Sequence, residues 1–155
     1  MRFFWDIRPL TANPSDSDVH HYECDISDAK AVEAVADRVK NEVGDPTIII
    51  NNVEVANGTF IIDLNPSEIR RFGVNIMAHF HLLKAFLPTL IELKNGYIVS
   101  TISIVTVASI LGTFGVCQAS DYCTSKAAVL SLHESLELDC RFLNILIPTV
   151  SFFIE

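Results

Sequence analysis

The sequence TIIINN at residues 47–52 is the strongest indication of fold class in the chain. Three consecutive isoleucines without polar alternation are typical of a strand in a parallel sheet that is covered on both faces. Asn51-Asn52 follow directly and end the strand with polar side chains. The sequence therefore predicts a central strand of an α/β domain with amide groups at its carboxyl end.

Strand patterns and helix patterns alternate on both sides of residues 47–52. Apolar residues recur at helical spacing before Gly44, which ends that helix, and Ser27 or Asp28 is placed to cap its start. The remaining patterns predict further helices at 66–93 and 120–140, and strands at 2–7, 20–24, 97–107 and 145–147. This alternation predicts one domain over residues 1–155, a doubly wound parallel sheet with helices on both faces.

Composition excludes several classes of function. The formal net charge of −8 argues against a nucleic-acid partner, which requires a basic surface. The four cysteines form no CxxC pair and the five histidines do not cluster with them, so we expect reduced, mostly buried thiols and no metal site. Residues 95–120 carry no charge and are long enough to span a bilayer, but their serines, threonines and glycines favour a buried strand and a loop.

Polar residues follow the predicted strands at their carboxyl ends. They are Asp6, Asp25, Asn51-Asn52 and Ser109. In open parallel sheets, ligands bind beyond the carboxyl ends of the strands. We therefore expect these side chains to line a ligand site.

Tyr122 and Lys126 are the candidate proton-transfer pair. They lie four residues apart on a predicted helix and so share one face. An ammonium beside a phenol favours the phenolate, so we expect Lys126 to lower the pKa of Tyr122 and make it a better base. Ser109 is placed to hold the same substrate oxygen. An exposed helix face that carries Tyr and Lys by chance is the ordinary alternative.

Six features in order resemble the short-chain dehydrogenase/reductase family. They are Asp6, Cys24-Asp25-Ile26-Ser27, Asn51-Asn52, Val74-Asn75, Ser109, and Tyr122 with Lys126. Residues 121–136, DYCTSKAAVLSLHESL, are similar to its retinol-dehydrogenase and hydroxysteroid-dehydrogenase-like branch. The resemblance implies an NAD(P)-binding Rossmann-like fold and hydride transfer between a nicotinamide cofactor and an alcohol or carbonyl.

The resemblance implies catalytic roles for four residues. Tyr122 would be the general acid/base, and Lys126 would lower its pKa and bind the nicotinamide ribose. Ser109 would orient the substrate oxygen. Asn75 would hold a water that links Lys126 to a proton relay, with a helix-packing amide as the ordinary alternative.

The resemblance also implies residues that hold the other parts of the cofactor. Asp6 would bind the adenosine ribose, which favours NAD over NADP because a carboxylate repels a 2′-phosphate. Asp25 and Ile26 would flank the adenine, and Asn51 would shape the floor of the cofactor site. Turn residues are the ordinary alternative for Asp6, Asp25 and Asn51.

Two local features depart from the family pattern. Val53-Glu54 replace the family's Ala-Gly, so a bulky and an anionic side chain stand where glycine permits close approach to the cofactor. Residues 98–103 and 104–109 look like a tandem duplication of six residues, which leaves Ser103 and Ser109 as alternatives for the catalytic serine. The register of the residues that follow favours Ser109.

The sequence matches only part of the family pattern. No strand with a Gly-rich turn precedes Asp6, and Pro148-Thr149 replace Pro-Gly near the last residue, so we expect a domain truncated at both ends. One hypothesis is an oxidoreductase for a lipophilic substrate such as a retinoid, a steroid or a long-chain alcohol. The alternative is a catalytically inactive fragment that acts at most as a dimerisation module.

The expected partners are a small-molecule alcohol or carbonyl substrate and a second copy of the chain. The helices at 66–93 and 120–140 correspond to those from which the family builds its dimer. We expect an intracellular protein, either cytoplasmic or membrane-associated.

Overall fold

The computed structural model describes residues 2–9, 19–95, 103–143 and 149–154. Within these ranges the strands are β1 (Arg2–Asp6), β2 (Val19–Glu23), β3 (Ile48–Asn51), β4 (Ser103–Ser109) and β5 (Thr149–Ile154). The α-helices are α1 (Ala29–Glu42), α2 (Pro66–Asn95) and α3 (Ser120–Phe142). A short 3₁₀ turn, Ile110–Gly112, lies between β4 and α3.

The described strands pair in parallel and form two sheets. β1 pairs with β2, and a second sheet has the order β3-β4-β5. Parallel neighbours need crossover connections, which α2 and α3 supply in the second sheet. Crossovers between parallel strands are right-handed as a rule, so two in the same direction place α2 and α3 on the same face of that sheet, where both helices line one cavity with Ile49 and Ile104. The arrangement confirms the predicted α/β class and represents part of a Rossmann-like sheet.

The bounds of α1 agree with prediction because its caps are local. The Asp28 carboxylate accepts hydrogen bonds from the amides of Lys30 and Ala31, which have no partner within the first turn. Gly44 follows the end of the helix with φ of 108°, a conformation that favours glycine.

α2 is the central helix of the described layer, in contact with both α1 and α3. Its start is fixed by reciprocal hydrogen bonds, since Asn65 accepts from the amide of Glu68 and Glu68 accepts from the amide of Asn65. Pro66–Glu92 is long and apolar enough to cross a membrane by length and composition. A core helix satisfies the same criterion; Phe86 and Leu90 are completely buried, and 33% of the apolar stretch is buried within the structure.

One hydrophobic core joins the two sheets through the helices. The indole of Trp5 on β1 packs against the ring of Phe86 on α2, with centroids 5.8 Å apart. The buried cluster draws on both sheets and all three α-helices, including Tyr22, Val39, Phe86, Ile104 and Leu136. Each such apolar side chain contributes roughly 1.5–3 kcal/mol on burial, so this shared core holds the two sheets and the three helices together.

Within the described structure β3 is covered on one face, so the expectation of cover on both faces was wrong. Ile49 and Asn51 are buried and line a small cavity against α2 and α3. In contrast, Ile48 and Ile50 are 55% and 64% exposed. The cause is the topology, because the crossovers put α2 and α3 on the same side and the described residues place no helix over the other face of β3.

β4 and β5 differ from the predicted strands. β4 ends at Ser109, later than predicted, while residues 97–102 of the predicted strand lie outside the described structure. The predicted strand at 145–147 also lies outside the described residues. Thr149–Ile154 forms a strand that was not predicted, although its β-branched and aromatic residues favour one, and it pairs along residues 104–109.

His79 of α2 is a buried ionisable side chain between the sheet and the helices. Burial, together with the nearby Lys126 and His133, lowers its pKa from 6.5 to about 4. Because the folded-state pKa is depressed, the unfolded chain binds a proton at a higher pH than the folded chain does. This contribution to stability is present above about pH 6.5 and is lost as the pH falls towards about 4.

We expect His79→Leu to reduce the loss of stability in acid. The change in pKa from 6.5 to about 4 corresponds to roughly 3 kcal/mol, so the variant should lose less unfolding free energy than the wild type by up to that amount. Urea denaturation at several pH values between about 7 and 4.5 measures the difference. His81→Leu on the same helix is the control, and an equal acid response in all three proteins would contradict the assignment to His79.

Candidate active site

Ser109, Tyr122 and Lys126 come together where β4 ends and α3 begins. Ser109 is the last residue of β4, and its hydroxyl accepts a hydrogen bond from the Leu111 amide at 3.2 Å. Ser109 also lies close enough to Tyr122 for its side chain to act to lower the pKa of the phenol. Lys126 lies one helical turn after Tyr122, with Nζ 5.6 Å from the centre of the Tyr122 ring. Three of the predicted catalytic residues are therefore neighbours.

Ser103, the alternative serine, lies at the opposite end of β4. It pairs with Ile48 at the start of β3. Six residues of extended strand separate it from Ser109, a distance of about 20 Å. Of the two serines, the structure places Ser109 beside Tyr122.

Lys126 is buried between two acceptors. Its side chain is 3% exposed, and Nζ donates to the carbonyl oxygen of Val107 at 3.2 Å and lies 2.9 Å from Oε2 of Glu54. An ammonium buried without partners would be strongly destabilising. The carboxylate of Glu54 and the carbonyl of Val107 therefore make this burial possible.

Glu54 reaches the pair from the loop that follows β3. Its Oε2, the atom that contacts Lys126, also accepts a hydrogen bond from the hydroxyl of Tyr122 at 3.2 Å. A single carboxylate oxygen thus bridges the two residues of the predicted proton-transfer pair. The sequence identified Glu54 only as a departure from the family pattern, because the contact joins residues 68 positions apart and depends on the path of the loop.

Asn75 fixes the loop that carries Glu54. Its Oδ1 accepts from the amide of Val55 at 2.7 Å, and its Nδ2 donates to the carbonyl of Val55 at 2.8 Å and to the hydroxyl of Ser125 at 3.0 Å. This buried amide connects α2 with the loop and with α3. The described contacts are those of a packing amide, and the role of holding a water for Lys126 stays a prediction.

The pKa of Tyr122 is raised, so the expectation that Lys126 lowers it was wrong for this arrangement. Burial of the phenol is the largest cause, and the charge of Glu54 and its hydrogen bond raise the pKa further, against the opposing effect of Ser109. The positive charge of Lys126 is directed at Glu54 and Val107. In this arrangement Tyr122 is a proton donor, and it donates to a carboxylate.

Asp6 lies at the carboxyl end of β1 as predicted. Its carboxylate accepts from the amide of Arg8 at 2.9 Å, and this hydrogen bond is the main reason that the pKa of Asp6 is lowered. The guanidinium Nε of Arg8 lies 3.6 Å from the same oxygen. Arg8 was not among the predicted site residues, although it stands two positions after Asp6 at the end of the strand. An arginine near this position can accommodate a 2′-phosphate, but the guanidinium of Arg8 lies against the carboxylate of Asp6.

The other predicted cofactor residues are Asp25, Ile26 and Asn51. The Asp25 carboxylate accepts from the amide and the hydroxyl of Ser27 at 2.9 and 2.7 Å, which lowers its pKa in the manner of a turn residue. The side chain of Ile26 is buried in the core. Asn51 lines the cavity against α2 and α3 with His79, and its Oδ1 has no hydrogen-bond partner among the described residues.

The cysteines are four free thiols, of which three are buried and Cys117 is exposed, as the sequence indicated. Across the described ranges no group of three or more His, Cys, Asp or Glu side chains is placed to hold a metal ion.

Comparison with known protein families agrees with this arrangement of residues. The family model described as short chain dehydrogenase matches residues 8–151. The chain belongs to the short-chain dehydrogenase family. It is 43% identical over 125 residues to Retinol dehydrogenase 10-B of Danio rerio and 40% identical over 130 residues to Short-chain dehydrogenase/reductase family 16C member 6 of Bos taurus.

These relatives confirm the retinol-dehydrogenase-like branch. The alignments cover 79% and 83% of this chain but 35% and 39% of the relatives. The chain thus spans less than two fifths of the length of these two proteins.

Solved structures of the family share the fold. A short-chain dehydrogenase/reductase from Burkholderia phymatum in complex with NAD is 28% identical, with a TM-score of 0.79 over 86% of this chain and 46% of that one. The 4-hydroxyisoleucine dehydrogenase complexed with NADH and succinate has a TM-score of 0.81 at 22% identity, over 97% of this chain and 66% of that one. At 22% identity, the match to 4-hydroxyisoleucine dehydrogenase shows a shared fold and no more.

Gly112 permits the close approach of the 3₁₀ turn to α3. A Cβ at this position would lie 2.8 Å from both the carbonyl carbon and the carbonyl oxygen of Lys126, which is too short for an unstrained contact. A Cβ at Gly115 would meet nothing within 4 Å. The two glycines therefore form a matched pair for substitution.

We expect Gly112→Ala to lower the free energy of unfolding by about 1–3 kcal/mol, because the turn must move away from α3. Gly115→Ala should change it by no more than about 0.5 kcal/mol. Urea denaturation of the two variants measures both values. Equal stability of the two variants would show that the close approach at Gly112 is not a constraint.

Proposed function

We propose that this chain contributes the proton-transfer site of an oxidoreductase that moves hydride between a nicotinamide cofactor and an alcohol or carbonyl. The observation that carries the proposal is the convergence of Ser109, Tyr122 and Lys126 at the carboxyl end of β4. Membership of the short-chain dehydrogenase family supports it. Relatives named as retinol dehydrogenases support a lipophilic substrate, such as a retinoid, a steroid or a long-chain alcohol.

In the proposed reaction the three side chains handle the oxygen and the proton of the substrate. Tyr122 gives its hydroxyl proton to a carbonyl oxygen, or takes one from an alcohol, and Ser109 holds that same oxygen. Lys126 stabilises the phenolate once its ammonium is free to act on Tyr122. Asn75 fixes the positions of α2, α3 and the loop after β3 relative to one another.

The donors at Tyr122 and Lys126 suit a nicotinamide ribose. The hydroxyl and the ammonium point at a single oxygen, so ribose hydroxyls are acceptors of the right kind for this pair.

Asp6 would hold the adenosine ribose, with Asp25, Ile26 and Asn51 near the adenine and the floor of the site. The cofactor, when bound, supplies the hydride. We propose NAD in preference to NADP because the carboxylate of Asp6 is exposed and negatively charged and would repel a 2′-phosphate.

The alternative proposal is an inactive fragment that acts as a dimerisation module. It draws on large apolar side chains that α2 and α3 expose, namely Met77, Phe80, Leu138 and Phe142. A homodimer through helices 66–93 and 120–140 is compatible with either function. Membrane association of an intracellular protein is a further proposal, supported by the apolar composition of Pro66–Glu92.

We expect the chain to bind NADH saturably, with a dissociation constant below about 1 mM, and to bind NADPH more weakly because Asp6 repels the 2′-phosphate. Isothermal titration calorimetry measures both affinities. In any active form, Tyr122→Phe should abolish turnover of a long-chain alcohol, while the dissociation constant for NADH rises by no more than about tenfold, as loss of one hydrogen bond to the ribose implies. Retained turnover would reject Tyr122 as the acid/base, and absence of NADH binding would favour the inactive fragment.

A further inference from the structure

We infer that the Glu54 carboxylate is an internal ligand of the Tyr122–Lys126 pair, and that the ribose hydroxyls of a nicotinamide cofactor must displace it. This inference rests on the proposed function, because it concerns the access of cofactor to the same site. It assigns Glu54 to the machinery of the site and adds a residue that the catalytic pattern does not contain.

The hydrogen-bond donors of the pair are already engaged by Glu54. Tyr122 has a single hydroxyl proton, and it is donated to Oε2 of Glu54 at 3.2 Å. Lys126 has three donors, of which one meets the Val107 carbonyl at 3.2 Å and another lies 2.9 Å from the same Oε2. A ribose hydroxyl is neutral, whereas hydrogen bonds to a carboxylate are charge-assisted and about twice as strong as neutral ones. Glu54 is therefore a strong competitor for these two donors.

The position of Glu54 is supported from both sides. On the backbone side, the side chain of Asn75 hydrogen-bonds to both the amide and the carbonyl of Val55, the residue that follows Glu54. At the carboxylate, the buried ammonium of Lys126 requires a counter-charge. The contact is thus part of the packing of the loop against α3, unlike an ion pair between two exposed side chains.

Glu54 also has a route away from the pair. Its side chain is 39% exposed, whereas that of Lys126 is 3% exposed. The loop between Asn51 and Ile61 contains no helix or strand among its described residues. The carboxylate can consequently turn towards solvent while Asn75 keeps the adjoining backbone in place.

Displacement of Glu54 changes the chemistry of Tyr122 as well as the access to it. While Glu54 is present, its negative charge and its hydrogen bond raise the pKa of Tyr122 and occupy Lys126. When a neutral hydroxyl takes its place, the ammonium of Lys126 is left to stabilise a phenolate. Binding at the ribose position and activation of the proton-transfer residue are then one linked event.

The first test compares cofactor binding by Glu54→Gln and Glu54→Ala in the full chain. Glutamine keeps the shape and removes the charge, and alanine removes both, so we expect the dissociation constant for NADH to fall about tenfold or more in each variant. Asp63→Asn is the matched control, because it removes one acidic charge from the loop before α2 and should leave the affinity unchanged. AMP, which lacks the nicotinamide ribose, should bind equally to all four proteins.

The second test is the ionisation of Tyr122 in the absence of cofactor. Ultraviolet difference titration of tyrosinate, with Tyr122→Phe as the reference, reports this residue separately from the other two tyrosines. We expect a lower pKa for Tyr122 in Glu54→Gln than in the wild type, and the wild-type value in Asp63→Asn. This readout needs neither cofactor nor turnover.

The outcomes separate this inference from the proposed function. Tighter NADH binding with unchanged AMP binding, together with a lower Tyr122 pKa, supports Glu54 as the internal ligand. Unchanged or weaker NADH binding in both variants overturns it. If none of the four proteins binds NADH, the proposed function fails, and the titration alone decides whether Glu54 is the resident partner of Tyr122: a lower pKa in Glu54→Gln supports that contact and an unchanged pKa overturns it.

Discussion

The ammonium of Lys126 lies in the interior of the domain, and the site is arranged around its need for partners. A buried positive charge is strongly destabilising unless acceptors reach it. β4 provides one acceptor, the carbonyl of Val107, and the loop after β3 provides the other, the carboxylate of Glu54. Three separate parts of the chain are thereby held together at the carboxyl end of the sheet.

Other features of the fold follow from this requirement. Asn75 joins α2 to the loop that carries Glu54 and to Ser125 on α3. Gly112 leaves room for the 3₁₀ turn directly against the backbone of Lys126. The same arrangement that stabilises the lysine in the described state makes Tyr122 less acidic, because Glu54 faces both side chains. The contacts of Glu54 therefore stabilise this state of the protein and at the same time make the Tyr122 hydroxyl harder to deprotonate.

Features encoded by neighbouring residues could be predicted from the sequence. The cap at Asp28, the helix end at Gly44 and the spacing of Tyr122 and Lys126 are local, and the structure reproduces all three. The bridge from Glu54 to Tyr122 joins positions 68 apart, so it depends on packing that no local pattern records. The strand Thr149–Ile154 was not predicted, although its β-branched and aromatic residues are a local signal that favours a strand. Exposure of one face of β3 follows from the direction of the crossovers and is not encoded in the isoleucine run.

A double-mutant cycle between Glu54 and Lys126 tests the account most directly. Unfolding free energies of the wild type, Glu54→Gln, Lys126→Met and the double variant give the coupling between the two side chains without cofactor or substrate. We expect a favourable coupling free energy of at least about 1 kcal/mol, because Lys126 is buried and Glu54 is its charged partner. A coupling within about 0.3 kcal/mol of zero would contradict the account, since Lys126 would then not depend on Glu54 for its burial.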